Sequence, residues 1–117
     1  MEEMAKKVYA ALGPGYSECV YHRAFEVLLR TSGIAYETER IVPIVFEGHT
    51  IGNLRIDIIV DGTTIIELKA VAKLTDANRI QARNYMKLTG LTQAFLINFP
   101  QVSGLSLPEI LTFVQQE

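Results

Sequence analysis

The chain has 117 residues, enough for one domain with a real core and too few for two. Hydrophobic residues make up 49% and charged residues 21%, which excludes a disordered chain. A net charge of −2 gives no sign of a strongly basic nucleic-acid binder, although carboxylates that take up a metal would mask local positive surface. The single cysteine, Cys19, excludes an internal disulfide and fits a reducing compartment. No apolar run approaches the length of a membrane span, and Met1–Lys7 lacks the apolar stretch of a secretory signal. The expectation is a single cytoplasmic domain over residues 1–117 with no membrane partner.

Met4, Val8, Ala11 and Leu12 fall at helical spacing and predict a first helix over Met1–Leu12, stopped by Gly13-Pro14-Gly15. Ser17 is a candidate N-cap for a second helix, from about Ser17 to Thr31. Its stripe is Val20, Ala24, Val27 and Leu28, widened by Tyr21, Phe25 and Leu29, with Gly33 just past its end. Ile34–Phe46 alternates loosely and reads as a strand, in which Pro43 marks an edge or a bulge. Glu47-Gly48-His49 reads as a turn.

Next come two β-branched apolar runs, Leu54–Val60 and Thr63–Ala70, around Asp61-Gly62. That dipeptide in that setting is the strongest short-range hairpin signal. Strict alternation puts Arg55, Asp57 and Ile59 on one face of the first strand, opposite Leu54, Ile56, Ile58 and Val60. It puts Ile65, Glu67 and Lys69 on one face of the second, opposite Ile66, Leu68 and Ala70. Leu74-Thr75-Asp76 opens a helix to about Leu88, capped by Thr75 or Asp76 and ended by Gly90. Ile80, Tyr85 and Leu88 mark its expected core side, with Arg79, Arg83 and Lys87 on a solvated face. Gln93–Asn98 has the apolar character of a buried strand, Pro100–Leu107 reads as a loop, and Leu107–Gln116 as a short final helix started by Pro108. Cys19 is expected to be buried and inert, and His22 and His49 to lie on the surface. The order is an αβββαβ core: an α/β fold with a mixed sheet flanked by helices.

Asp57, Glu67 and Lys69 stand out because isolated charges on an apolar strand pair are costly unless paired or bound to a cation. Two carboxylates on neighbouring strands can share one Mg²⁺, a cation that takes hard oxygen ligands, and the Leu68 carbonyl can add another. Lys69, two residues after Glu67, can orient and deprotonate a water or stabilise charge growing on phosphorus. These are the parts of phosphodiester hydrolysis.

The spacing of Asp57, nine residues, then Glu67-Leu68-Lys69 resembles the PD-(D/E)xK nuclease superfamily. Upstream, Gly15-Tyr16-Ser17-Glu18-Cys19-Val20-Tyr21 reads as GxxExxY, after Leu12-Gly13-Pro14, and resembles the GxxExxY family of that superfamily. The likeness continues through Arg55-Ile56-Asp57, Glu67-Leu68-Lys69-Ala70-Val71, Gln81-x-x-x-Tyr85 and Leu96-Ile97-Asn98-Phe99, roughly residues 8 to 99. The resemblance implies a restriction-endonuclease-like fold of the RecB-like branch and Mg²⁺-dependent hydrolysis, with Mn²⁺ as a substitute. It implies a nucleic-acid substrate, DNA first and RNA second. Asp57 and Glu67 match the metal ligands and Lys69 the catalytic lysine. Glu18 matches a helical acidic residue that supports the metal site. Gln81 and Tyr85 match a QxxxY element flanking the site, and Arg55 joins them as a substrate contact. One departure is the absence of a proline before Asp57. A chain this small offers limited surface to hold a duplex, which suggests a homodimer. A purely structural reading of Asp57, Glu67 and Lys69 is an amphipathic sheet with cross-strand ion pairs on its wet face. The rival function is an inactive nucleic-acid-binding or protein-interaction module on the same fold. An intact Asp57, Glu67 and Lys69 set disfavours it.

Overall fold

Asp61 and Gly62 turn the chain as their residue types require. Both have positive φ, 51° and 67°, and the Thr63 N–H closes the turn on the Val60 carbonyl at 3.0 Å. The computed structural model in which this is seen describes residues 1–104 and 107–115. The element order is α1 (Glu2–Leu12), α2 (Glu18–Thr31), β1 (Tyr36–Phe46), β2 (His49–Val60), β3 (Thr64–Lys69), α3 (Asp76–Thr89), β4 (Gln93–Asn98) and β5 (Glu109–Val114). The strands form one sheet in the order β1-β2-β3-β4-β5. β3 and β4 are parallel, joined through α3, and every other neighbouring pair is antiparallel. This is the expected mixed sheet flanked by helices.

Each face of the sheet carries its own core. On one, Tyr21, Phe25 and Leu29 of α2 and Ala5, Val8 and Tyr9 of α1 pack with Ile58, Val60, Ile66 and Leu68. On the other, Tyr85 and Met86 of α3 pack with Ile56, Ile59, Ile65 and Ala94. The helices turn their largest side chains onto the sheet. So Tyr21, Phe25 and Leu29 form the true α2 stripe, while Val20 and Val27 are exposed. On α3 the buried set is Ala82, Tyr85 and Met86, at i, i+3 and i+4; Ile80, 56% exposed, and Leu88 face outward, contrary to the sequence reading. Thr75 and Asn78 cap α3 reciprocally, and Gly90 ends it at φ 75°.

Three other expectations are corrected. β2 begins at His49 rather than Leu54, so β1 and β2 form a long ribbon, turned at Glu47-Gly48 and paired from Tyr36↔Val60 to Phe46↔His49. Second, the segment read as a final helix is the strand β5. It pairs residue by residue with β4, from Gln93↔Val114 to Asn98↔Glu109, covering an edge that would otherwise be bare. Ile110 and Phe113, three apart, join opposite cores, as a strand requires. Residues 105 and 106 of the expected loop and residue 116 of the expected helix lie outside the described residues. Third, Cys19 is exposed. No helix among the described residues is long and apolar enough to cross a membrane.

Candidate active site

The alternation expected of β2 breaks at Asp57. Ile58 packs beneath α1 and α2, yet Ile56 joins Ile59 on the α3 side. The backbone explains the break. The β2–β3 ladder runs from Val60↔Thr64 to Ile58↔Ile66 and ends there. On the β1 side, Thr38↔Ile58 and Arg40↔Ile56 are paired, but Glu39 between them has φ 55°, a left-handed conformation costly for a side chain of its size. Both neighbours of Asp57 therefore release it from regular pairing.

In the gap the two carboxylates take over from the ladder. Glu67 Oε1 accepts the Asp57 N–H at 3.0 Å, and Asp57 Oδ2 accepts the Leu68 N–H at 2.8 Å. The N–H and C=O of one strand residue point toward the same edge, so the Leu68 carbonyl is directed to the same gap. Asp57 Oδ1 and Glu67 Oε2 take no part in these two bonds. Glu67 is buried, Asp57 and Lys69 are half-buried, and Arg55 is exposed. Among the described residues neither Asp57 nor Glu67 forms a contact ion pair. The cross-strand ion pairs of the purely structural reading are not present at these two residues among the described residues.

Burial, and then the neighbouring charge of Asp57, pushes the Glu67 carboxyl up to about 9. Burial also raises Asp57, against the pull of the Leu68 hydrogen bond. Glu18 is raised by burial and then by Asp57, while Lys69 acts in the opposite direction. Three carboxyl groups that resist ionisation, with one lysine near them, form an electrostatic environment that a divalent cation relieves. The donor chemistry fits a hard cation. Among the described residues no three His, Cys, Asp or Glu side chains converge closely enough to hold an ion, so the carboxylates as they stand are directed at each other's backbone.

A groove of about 460 Å³ opens from Asp57 between α2 and the β1–β2 ribbon, lined by Glu18, His22, Arg23, Thr38, Arg55 and Asp57 among others. Glu18 reaches it from the first turn of α2. On the other side of the sheet, Tyr85 donates its hydroxyl hydrogen to the Arg55 carbonyl at 3.2 Å, and Gln81 lies half-buried one turn earlier on α3. The structure thus brings Asp57, Glu67 and Leu68 into contact and Glu18 and Arg55 into one groove. It brings Tyr85 to the backbone of β2 and gives Gln81 no tie to the carboxylates among the described hydrogen bonds.

Two groove residues stand differently from the sequence reading. His22 is half-buried, with Nε2 at 3.3 Å from Glu26 Oε2, rather than a plain surface residue. Its i+4 spacing from Glu18 was the available signal. Cys19 lines the same groove, its Sγ accepting from Arg23 Nε at 3.4 Å.

The family model of the PD-(D/E)XK nuclease superfamily matches residues 1–107, and the chain belongs to that superfamily. A crystal structure described as SSO0001 superposes with a TM-score of 0.64 at 17% identity, over 84% of this chain and 50% of that one. The chain thus spans half the length of that protein, and the likeness is one of fold. An alkaline exonuclease (LHK-Exo) from Laribacter hongkongensis is also similar, at 10% identity and a TM-score of 0.46, over 96% of this chain and 76% of that one. A comparison with curated proteins gives no match.

Proposed function

We propose that this chain is a Mg²⁺-dependent nuclease of the GxxExxY, RecB-like kind, hydrolysing phosphodiester bonds of DNA, with RNA as the second candidate substrate. The observation that carries the proposal is the meeting of Asp57 and Glu67 at the end of the β2–β3 ladder, neither of them in an ion pair among the described residues. In this reading Asp57, Glu67 and the Leu68 carbonyl hold the cation, and Glu18 supports them from α2. Mn²⁺ serves as a substitute. When bound, the cation supplies positive charge that activates water and offsets the charge of the scissile phosphate. Lys69 orients the attacking water, takes its proton or stabilises charge on the phosphorus. Arg55 holds the substrate at the groove, with Gln81 and Tyr85 flanking from α3. A homodimer would supply a second wall for a duplex.

The test is incubation of the purified protein with plasmid, linear duplex, single-stranded DNA and RNA, each with Mg²⁺, Mn²⁺ or EDTA. Cleavage with either metal and none in EDTA is expected. No cleavage of any substrate under any condition, combined with retained substrate binding, would replace the proposal with the inactive binding module.

A further inference from the structure

The GxxExxY segment contains two residues, Gly15 and Tyr21, that have no part in the proposed chemistry. Both are bonded to the same side chain, which lies far away in sequence. Gln101 Oε1 accepts the Gly15 N–H at 2.7 Å, and Gln101 Nε2 donates to the Tyr21 hydroxyl at 3.1 Å and to the Phe99 carbonyl at 2.8 Å. Tyr21 in turn donates to the Gly13 carbonyl at 2.6 Å and stacks on Phe99, with ring centroids 4.5 Å apart and planes at 8°. The backbone of Gln101 completes the junction by donating to the Val71 carbonyl at 3.2 Å.

Three pieces of chain meet here. One is the Gly13–Ser17 loop that launches α2, in which Gly15 adopts φ 107°. Another is Phe99, just past β4, whose N–H donates to the Lys69 carbonyl at 2.9 Å. The third is Val71, two residues past Lys69. Gly13 is held by the helices on either side, through the Tyr9 carbonyl and the Tyr21 hydroxyl, whereas the Gly15 N–H is taken by the Gln101 amide, which ties the loop to the chain leaving the sheet. Glu18 lies midway between the two pinned residues, three from each. Together with the Tyr21–Phe99 stack, this amide ties the start of α2 to the chain just past the strand that carries Glu67 and Lys69.

We propose that Gln101 is a positioning residue that acts through Glu18, holding the first turn of α2 in register with the carboxylate site. The proposal rests on the nuclease reading for its catalytic consequence, but not for its structural one. Catalytic geometry is steep in distance: a displacement of about 1 Å costs on the order of a hundredfold in rate.

Gln101→Met tests it, because it keeps the length and apolar bulk of the side chain and removes the amide. Amide hydrogen exchange is the readout independent of activity. Residues 15–21 should exchange about tenfold faster in the variant, while Phe25–Leu29 keep their protection. At a temperature where both proteins are folded, Gln101→Met should lower kcat roughly ten- to a hundredfold and raise the Mg²⁺ concentration needed for half-maximal cleavage. In a Glu18→Gln background the same substitution should add less than about a twofold loss, since residues acting through one another are not additive. Gln101→Glu, which keeps an acceptor for Gly15, should restore part of the protection at the loop. Unchanged exchange, or an equal increase along all of α2, overturns the proposal; so does a full additional loss in the Glu18→Gln background. If the parent cleaves nothing, the nuclease reading fails, and the exchange pattern still decides whether Gln101 holds the loop.

Discussion

Glu67 accepts a hydrogen bond from the backbone of Asp57, and Asp57 accepts one from the backbone of the residue after Glu67. Each carboxyl group thereby holds the other's strand, so two acidic groups are fixed near one another by bonds that need no cation. Asp57→Asn removes one charge and keeps an amide oxygen to accept from Leu68. In EDTA its thermal midpoint should equal or exceed that of the parent. In millimolar Mg²⁺ the parent should gain about 2.7 kcal/mol at a hundredfold excess over the dissociation constant, and the variant nothing. A large drop in the EDTA melt of Asp57→Asn, with no Mg²⁺ response in the parent, would mean that Asp57 has a structural role instead.

The buried Glu67 carboxyl gives the metal-free protein a pH dependence of definite sign. Its ordinary value is 4.5, and burial beside Asp57 raises it to about 9 in the folded chain. Between those values the folded protein binds a proton that the unfolded chain has released. Stability is full below the lower value and falls as pH rises toward the upper one, with a one-proton limit of about 1.4 kcal/mol per pH unit. Asp57 and Glu18 are shifted in the same direction and add to the fall. Denaturant unfolding in EDTA from about pH 5 to about pH 9 measures it, and Glu67→Gln should flatten the curve. Mg²⁺ must displace that proton, so its stabilising effect should grow with pH.

Lys69 forms no contact ion pair among the described residues, so its removal should spare the fold. Lys69→Ala should retain the Mg²⁺-induced rise in melting temperature and lose about 10² to 10⁴ in cleavage rate. Parallel melts and cleavage assays check both halves. Undiminished cleavage would remove Lys69 from the mechanism.

Asn98 is a buried polar residue opposite Lys69 in the parallel β3–β4 pair. Its side chain accepts the Val71 N–H and donates to the Val71 carbonyl, both at 2.9 Å, and to Glu109 Oε1 at 2.8 Å. Asn98→Ala strands the Val71 N–H, while the Val71 carbonyl keeps the Gln101 N–H and Glu109 Oε1 keeps the Leu74 N–H; calorimetry should register a loss of roughly 1–3 kcal/mol.

What was legible in the sequence was local. Asp61-Gly62 specifies its turn from two residues, Thr75 and Gly90 bound α3, and the positions of Glu67 and Lys69 follow from one strand. The hidden parts depended on distant chain. Glu109–Val114 became a strand because β4 offered it an edge, and a proline at a helix-start position carried no information about that edge. Ile56 changed face because the ladder stops at Ile58, which alternation within one strand cannot reveal. Gln101 had no signal at all, since its partners Gly15 and Tyr21 are 86 and 80 residues away.

The β1–β2 ribbon raises the question of self-association. β1 is an outer strand, and Ile41, 57% exposed, Val45 and Phe46, 63% exposed, stand on it in water. Such an edge is a template on which further copies can add strands without limit. Pro43 sits in the middle of it. The ladder runs on through the Pro43↔Asn53 pair, so the nitrogen that lacks a proton faces outward and leaves one rung of any incoming strand unmade. Pro43→Val would restore that donor and complete an uninterrupted β-branched edge. The expected outcome is a protein with an unchanged monomer fold that scatters light progressively at high concentration, where the parent stays clear. On this account Pro43 acts as a guard against fibre growth.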